Sequence, residues 1–206
     1  TPSNARSVDG FYISWQEHLI DSTEIAGIEI SGSDGLKMAD LDRDGHLDVI
    51  SVHESDTTYD GVADGHIRIA FGTEHPDVWQ NVTLAQGPDA GAAEDVAVAD
   101  LDGDGDGYPD LIAACELAHL IYFRNPGENV RTAQWQRIIP AVTLDRGSFI
   151  RVFWGDFDGD GRPEAVAPNK GEQNPERGTT VKNPISIFAI EGDPLAGSSW
   201  VEYELG

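Results

Sequence analysis

Cysteine is nearly missing: Cys115 is the one example in 206 residues, so no disulfide can form within the chain. No apolar run reaches the roughly 18 residues that a membrane-crossing helix needs. Basic residues are scarce, with 13 Lys and Arg against 37 Asp and Glu and a formal net charge of −24. Phosphate backbones and anionic lipid surfaces are held by clusters of Lys and Arg, so this balance argues against both as partners. The chain holds no G-x-S-x-G nucleophile turn, no H-E-x-x-H pair and no phosphate loop. It opens Thr1-Pro2 without an initiator Met, which is expected of a processed or excised segment.

Apolar residues are plentiful enough for a core. They make up 39% of the chain and include five Trp, seven Phe and five Tyr, so an acidic disordered tail is excluded. Gly 23 and Pro 11 supply the many turns of an all-β fold. The excess negative charge strains any compact state unless bound cations offset it.

The chain repeats itself. Asp40-Leu41-Asp42-Arg43-Asp44-Gly45-His46-Leu47-Asp48 is followed by Val49-Ile50-Ser51-Val52. Asp102-Gly103-Asp104-Gly105-Asp106-Gly107-Tyr108-Pro109-Asp110 is followed by Leu111-Ile112-Ala113-Ala114. Asp156-Phe157-Asp158-Gly159-Asp160-Gly161-Arg162-Pro163-Glu164 is followed by Ala165-Val166-Ala167. All three read D-x-D-x-D-G-x-x-[D/E] and then an apolar run. Trp15, Trp79, Trp135 and Trp200 recur at separations of 64, 56 and 65 residues, each ahead of apolar positions. Midway lie alternating segments, His66–Phe71, Leu120–Phe123 and Ile185–Phe188. Each unit thus has four short strand candidates, A to D, with the acidic loop between A and B. Four strands in roughly 60 residues is the size of a propeller blade. The expected organisation is one repeat domain over 1–206. Residues 11–34 hold a leftover D strand and its connection, 35–84 blade 1, 95–141 blade 2 and 149–205 blade 3. Three blades do not close a ring of four to eight, so further blades, a second copy or open polymerising edges are expected.

The loops suit a hard divalent cation. Ca²⁺ takes six to eight oxygen ligands. Acids at loop positions 1, 3 and 5 can turn three carboxylates inward, the Gly at position 6 permits the sharp bend, position 7 can offer its carbonyl, and the acid at position 9 is expected to close the shell with both oxygens. Left bare, the carboxylates repel, so metal binding should couple to folding. An EF-hand is excluded, because position 12 is Ser51 in the first loop and Ala167 in the third, with β-type flanks. The second loop has two registers. One starts at Asp102 and needs no insertion, which favours it on spacing. The other starts at Asp100 and agrees better with the strand A alignment.

These loops, with strand and Trp markers at this period, resemble the FG-GAP/VCBS repeats of integrin-α-type β-propellers. Phe149-Ile150-Arg151-Val152-Phe153-Trp154-Gly155-Asp156-Phe157-Asp158-Gly159-Asp160-Gly161 is similar to that family's core pattern. The resemblance implies all-β propeller blades with about three calcium ions between strands A and B. It implies ligation by Asp40, Asp42, Asp44, His46 (carbonyl) and Asp48. It further implies Asp102, Asp104, Asp106, Tyr108 (carbonyl) and Asp110, with Asp100 in the alternative register, and Asp156, Asp158, Asp160, Arg162 (carbonyl) and Glu164. The family spans adhesion receptors, secreted lectin-like proteins and scaffolds of some polysaccharide lyases, so a secreted, cell-surface or periplasmic setting is expected.

The opposite blade face carries the B–C and D–A loops. His53, Glu54, Glu94, Glu116, His119, Arg146 and Lys170 are candidates there for binding a glycan or peptide, or for acid–base chemistry. The bland alternative is a solvated loop face, and His119 can equally pack at a strand edge beside Tyr122. The Trp residues recur in phase, which favours blade core over sugar-stacking platforms. Asn81-Val82-Thr83 is a glycosylation sequon at Asn81. Three functions follow as expectations: an extracellular calcium-binding interaction module, the propeller part of a polysaccharide-active enzyme, or a structural subunit that polymerises.

Overall fold

Short β-branched and aromatic segments punctuated by Gly, Asp and Pro fold as successive antiparallel hairpins. The computed structural model describes residues 2–55, 63–101, 107–171 and 184–205. Blade 1 consists of β3 (Ser33–Ala39), β4 (Asp48–His53), β5 (His66–Phe71) and β6 (Gln80–Gln86) in that order. Blade 2 consists of β7 (Ala93–Ala99), β8 (Asp110–Cys115), β9 (Leu120–Arg124) and β10 (Gln136–Ile138). Blade 3 consists of β11 (Phe153–Gly155), β12 (Glu164–Pro168), β13 (Ile185–Ile190) and β14 (Trp200–Glu204). Each is a four-stranded meander.

Strand alternation decides what each face meets. Ile50 and Val52 of blade 1 point to blade 2 and share a core with its Leu111, Ala113 and Cys115. The next residues along blade 2, Ile112 and Ala114, point the other way, into a second core with Ala165, Ala167 and Phe188 of blade 3. Blade 2 is therefore apolar on both faces, which explains its unbroken run of buried residues in β8. Val166, two positions after its loop's last acid as Ile50 and Ile112 are, belongs to the outward face of blade 3. Its register partners there are Phe153 and Ile187, and Tyr203 pairs with Ile187.

Close approach of blades 1 and 2 depends on Gly35. A Cβ at that position would lie 2.7 Å from both Asp95 Cα and the Glu94 carbonyl oxygen. Within each blade, one backbone bond recurs just beyond the paired ends of its first two strands. Glu54 N–H donates to Gly32 O at 2.8 Å, Glu116 N–H to Ala92 O at 2.8 Å, and Lys170 N–H to Ser148 O at 2.9 Å. The three acceptors all have positive φ, so one local geometry serves all three blades.

The amino-terminal segment contains β1 (Pro2–Arg6), β2 (Tyr12–Ser14) and one helical turn, α1 (Thr23–Ala26). The strand within 11–34 is β2, and it pairs with β1 in a separate hairpin rather than with a blade. Trp15 follows it at 71% exposure, whereas Trp135 and Trp200 are buried and Trp79 is half-buried. The core reading of the recurring Trp thus holds for Trp135 and Trp200 and fails at Trp15, which has no blade of its own to fill. Residues 18–21 instead lie against blade 1. Asp21 takes two hydrogen bonds from Arg68, at 2.5 and 3.1 Å, and Asn81 Nδ2 donates to Ile20 O at 3.0 Å.

Candidate metal centres

Loops 1 and 3 have the same fold, set by their own carboxylates. Gly45 N–H donates to Asp40 Oδ2 at 3.0 Å, and Gly161 N–H to Asp156 Oδ2 at 3.1 Å. Asp44 N–H donates to Asp42 Oδ1, and Asp160 N–H to Asp158 Oδ1, at 3.2 and 3.0 Å. His46 N–H donates to Asp44 Oδ1, and Arg162 N–H to Asp160 Oδ1, both at 2.8 Å. Leu41 N–H reaches Asp48 Oδ2, and Phe157 N–H reaches Glu164 Oε2, both at 2.7 Å. Gly45 and Gly161 have φ of 89° and 90°, a conformation that glycine adopts without steric cost.

The result is a concentration of negative charge. Asp40, Asp42 and Asp48 each place a carboxylate oxygen within 4.8 Å of the others, and so do Asp156, Asp158 and Glu164. Oxygen-only donors at this spacing fit a hard cation such as Ca²⁺. Asp44 and Asp160 lie outside these groups and instead brace the turn through the N–H of position 7. Position 9 also differs from expectation. Asp48 is fully buried, and both its oxygens accept backbone N–H groups, from Leu41 and, at 2.9 Å, from Gly72. It anchors the loop to the end of β5 as well as facing the cluster, with only its remaining lone pairs left for an ion. Burial pushes the Asp48 carboxyl up to about 6, despite those two N–H donors.

Loop 2 is described only at its ends: Asp102, Asp104 and Asp106 lie outside the described residues. Strand pairing still fixes its register. Ala39 pairs with Asp48, Gly155 with Glu164, and Ala99 with Asp110. Asp100 therefore occupies position 1, as Asp40 and Asp156 do, and the loop is two residues longer than its neighbours. This corrects the spacing argument for Asp102, which cannot see an insertion. Asp110 repeats the anchoring role, accepting from Asn125 N–H at 2.8 Å and Tyr122 O–H at 2.7 Å. Tyr108 takes part in a contact between loops, its ring lying 5.3 Å from the Arg43 guanidinium carbon.

Blade 2 covers loop 1. Asn125 Nδ2 donates to Leu41 O at 2.9 Å. Arg131 Nε pairs with Asp42 Oδ2, and its Nη2 reaches Asp44 Oδ2 at 2.7 Å and Gly72 O at 3.1 Å. Sequence reasoning missed Arg131, because nothing in the spacing of the repeat marks a residue that works on the neighbouring blade. Among the described residues no blade covers loop 3, and its Asp156 and Asp158 are exposed where Asp40 and Asp42 are half-buried.

The opposite face brings together only part of its predicted set. Glu54 and Glu94 join Asp34 in a third acidic group, and Lys170 pairs with Glu116. Burial, with Asp34 and Glu54 nearby, raises the Glu94 carboxyl above its ordinary range. His53 turns to the outer face of blade 1, where Ser51 Oγ lies 3.0 Å from its Nε2. His119 is 3% exposed, with Asp145 Oδ1 at 3.8 Å. Arg146 is drawn to Glu202, at 2.6 Å, and to the Val142 carbonyl.

No curated protein matches the chain. A family model described as an FG-GAP-like repeat matches residues 40–106 and 104–167, together more than half of the chain and including all three acidic loops. With three four-stranded meanders and an acidic turn between the first two strands of each, the chain belongs to the FG-GAP-like repeat family.

Proposed function

We propose that this β-propeller-like repeat domain is a calcium-binding interaction module that works outside the cytoplasm, at a cell surface, in a secreted form or in a periplasm. The supporting observation is the duplicate architecture of loops 1 and 3. Two segments of different sequence form the same four hydrogen bonds and gather three carboxylate oxygens within 4.8 Å. Bound calcium would supply the positive charge that these clusters lack. Asp40, Asp42 and Asp48, and Asp156, Asp158 and Glu164, would hold it, with Asp100 and Asp110 serving the second loop. Extracellular calcium, at up to millimolar level, suits partly exposed oxygen sites.

Calorimetric titration with calcium, paired with thermal melts in chelator, tests this reading. More than one site and a clear drop in melting temperature on chelation are expected. An unchanged melt and a flat titration would overturn it.

Self-association is the partner reading best supported. The outward face of blade 3 exposes Phe153 at 49%, Ile185 at 47% and Tyr203 at 51%, in the row that packs against a following blade elsewhere in the chain. Beside it a depression of about 490 Å³ joins this apolar row, at Ile187, Ala189 and Tyr203, to the acids of loop 3, Asp158, Asp160 and Glu164. Glycan or protein ligands on the opposite face remain part of the proposal through Glu54, Glu94, Glu116 and Lys170. The lyase alternative has less support, because the histidine it would use, His119, is buried.

A further inference from the structure

Loops 1 and 3 share a backbone but not a state of charge. In loop 3, Asp158 uses Oδ1 for the Asp160 N–H, and no hydrogen bond occupies its Oδ2 among the described residues. Asp160 likewise keeps Oδ2 open, with Oδ1 on the Arg162 N–H. In loop 1 the same two oxygens are taken. Arg131 Nε binds Asp42 Oδ2, and Arg131 Nη2 binds Asp44 Oδ2 at 2.7 Å. A third bond, to Gly72 O at 3.1 Å, and the Phe71 ring, 5.2 Å from the guanidinium carbon, fix the fork in place. Arg131 comes from blade 2, four residues before Trp135. The residue four before Trp200 in blade 3 is Ala196, so an arginine at this place does not recur in blade 3.

We propose that Arg131 is a built-in competitor for loop 1, a guanidinium latch from blade 2 that a divalent cation must displace or tolerate, so that loop 1 fills only after loop 3. This rests on the calcium reading of the loops. An arginine stays protonated at any working pH, so its charge cannot be shed when the ion arrives. A monovalent and a divalent cation sharing the same carboxylates repel over a few ångströms in a half-buried site. The planar fork also holds an oxygen of Asp42, one of the three carboxylates that would hold the ion, and braces it through neighbouring Asp44. In the metal-free protein the latch is favourable, because it offsets part of the cluster's charge and ties blade 1 to blade 2. Calcium occupancy of loop 1 and this tie between blades are therefore opposed, and the two loops would report different calcium concentrations.

The test is calorimetric titration with calcium on the whole chain and on Arg131→Gln, with Asp40→Asn and Asp156→Asn identifying the loop 1 and loop 3 components. Arg131→Gln should tighten the component that Asp40→Asn removes by at least about tenfold, and leave the component that Asp156→Asn removes unchanged. In chelator the same variant should melt below wild type, and in saturating calcium the difference should vanish. Arg131→Lys, which keeps the charge and loses the fork, should tighten loop 1 by less, and it serves as the test should Arg131→Gln fail to fold. If loop 1 binds equally or more weakly without Arg131, the residue is a support and the proposal is wrong. If wild type takes up no calcium at all, the metal reading itself fails, an outcome distinct from calcium binding that ignores Arg131.

Discussion

Of the residues chosen for chemistry from the sequence, His119 shows best how burial changes a role. Its ring is 3% exposed, and neither nitrogen makes a hydrogen bond among the described residues. Burial lowers its pKa below the ordinary histidine value, against the opposing pull of Asp89 and Asp145. The folded chain therefore holds it neutral, while the unfolded chain takes a proton near the ordinary value of about 6.5. Its contribution to stability is complete above that value and shrinks as pH falls from there toward the lowered folded pKa. His119→Phe should remove that loss. Chemical denaturation at pH 7.5 and pH 5.5 should show the variant at least as stable as wild type at the higher pH and more stable by a wider margin at the lower. Parallel behaviour of the two proteins across this range would show that His119 finds a proton-accepting partner in the fold. His53 and His66 are also buried with lowered pKa, so wild type and variant should both retain part of the acid sensitivity.

At the level of elements, the acidic loops and the strands that flank them were legible because each is a local pattern repeated three times. β3, β7 and β11 end one residue before an Asp, and β4, β8 and β12 begin at the acid that closes the loop. What spacing could not reveal was pairing. Ala99 opposite Asp110 shows a loop two residues longer, and no periodicity reports an insertion. Arg131 and Asp21 act across sequence separations of 89 and 47 residues, on neighbours chosen by blade packing. The close approach of β3 and β7 is equally non-local, and it makes Gly35 a sensitive position. Gly35→Ala would drive a methyl group into the Asp95 backbone, the Glu94 carbonyl and Val52 Cγ2 at 2.7 to 2.8 Å. Two of these are backbone atoms and cannot turn aside, so a loss of about 2–3 kcal/mol is expected in urea denaturation. Lys37→Ala, two residues along the same strand with its side chain 44% exposed, should cost under about 1 kcal/mol. Equal effects of the two substitutions would mean that the blades separate to accommodate the methyl.

For the whole molecule, the two ends of the blade stack are unlike. The outer face of blade 1 carries Ser51, His53, His66 and Arg68, and residues 18–21 lie on it through the Arg68–Asp21 pair. The outer face of blade 3 is apolar, with Phe153, Ile185 and Tyr203 each about half exposed. A head-to-tail chain of copies would set that apolar face on blade 1, where it would have to displace the amino-terminal segment and leave Arg68 buried without its carboxylate, at a cost of several kcal/mol. Pairing of two blade 3 faces needs no such displacement and closes with two-fold symmetry, so growth stops at a dimer. Opposing it is the charge of −24 on each copy, which salt screens and bound cations reduce. Sedimentation in calcium at about 0.15 M salt should therefore show mass rising with concentration toward twice that of the chain and no further. Ile185→Asp with Tyr203→Asp should return the protein to monomer without lowering its melting temperature by more than a few degrees, because both side chains are already half in water. A monomer at every concentration would mean that this face waits for a different blade, and open-ended growth would mean that the amino-terminal segment yields its place on blade 1.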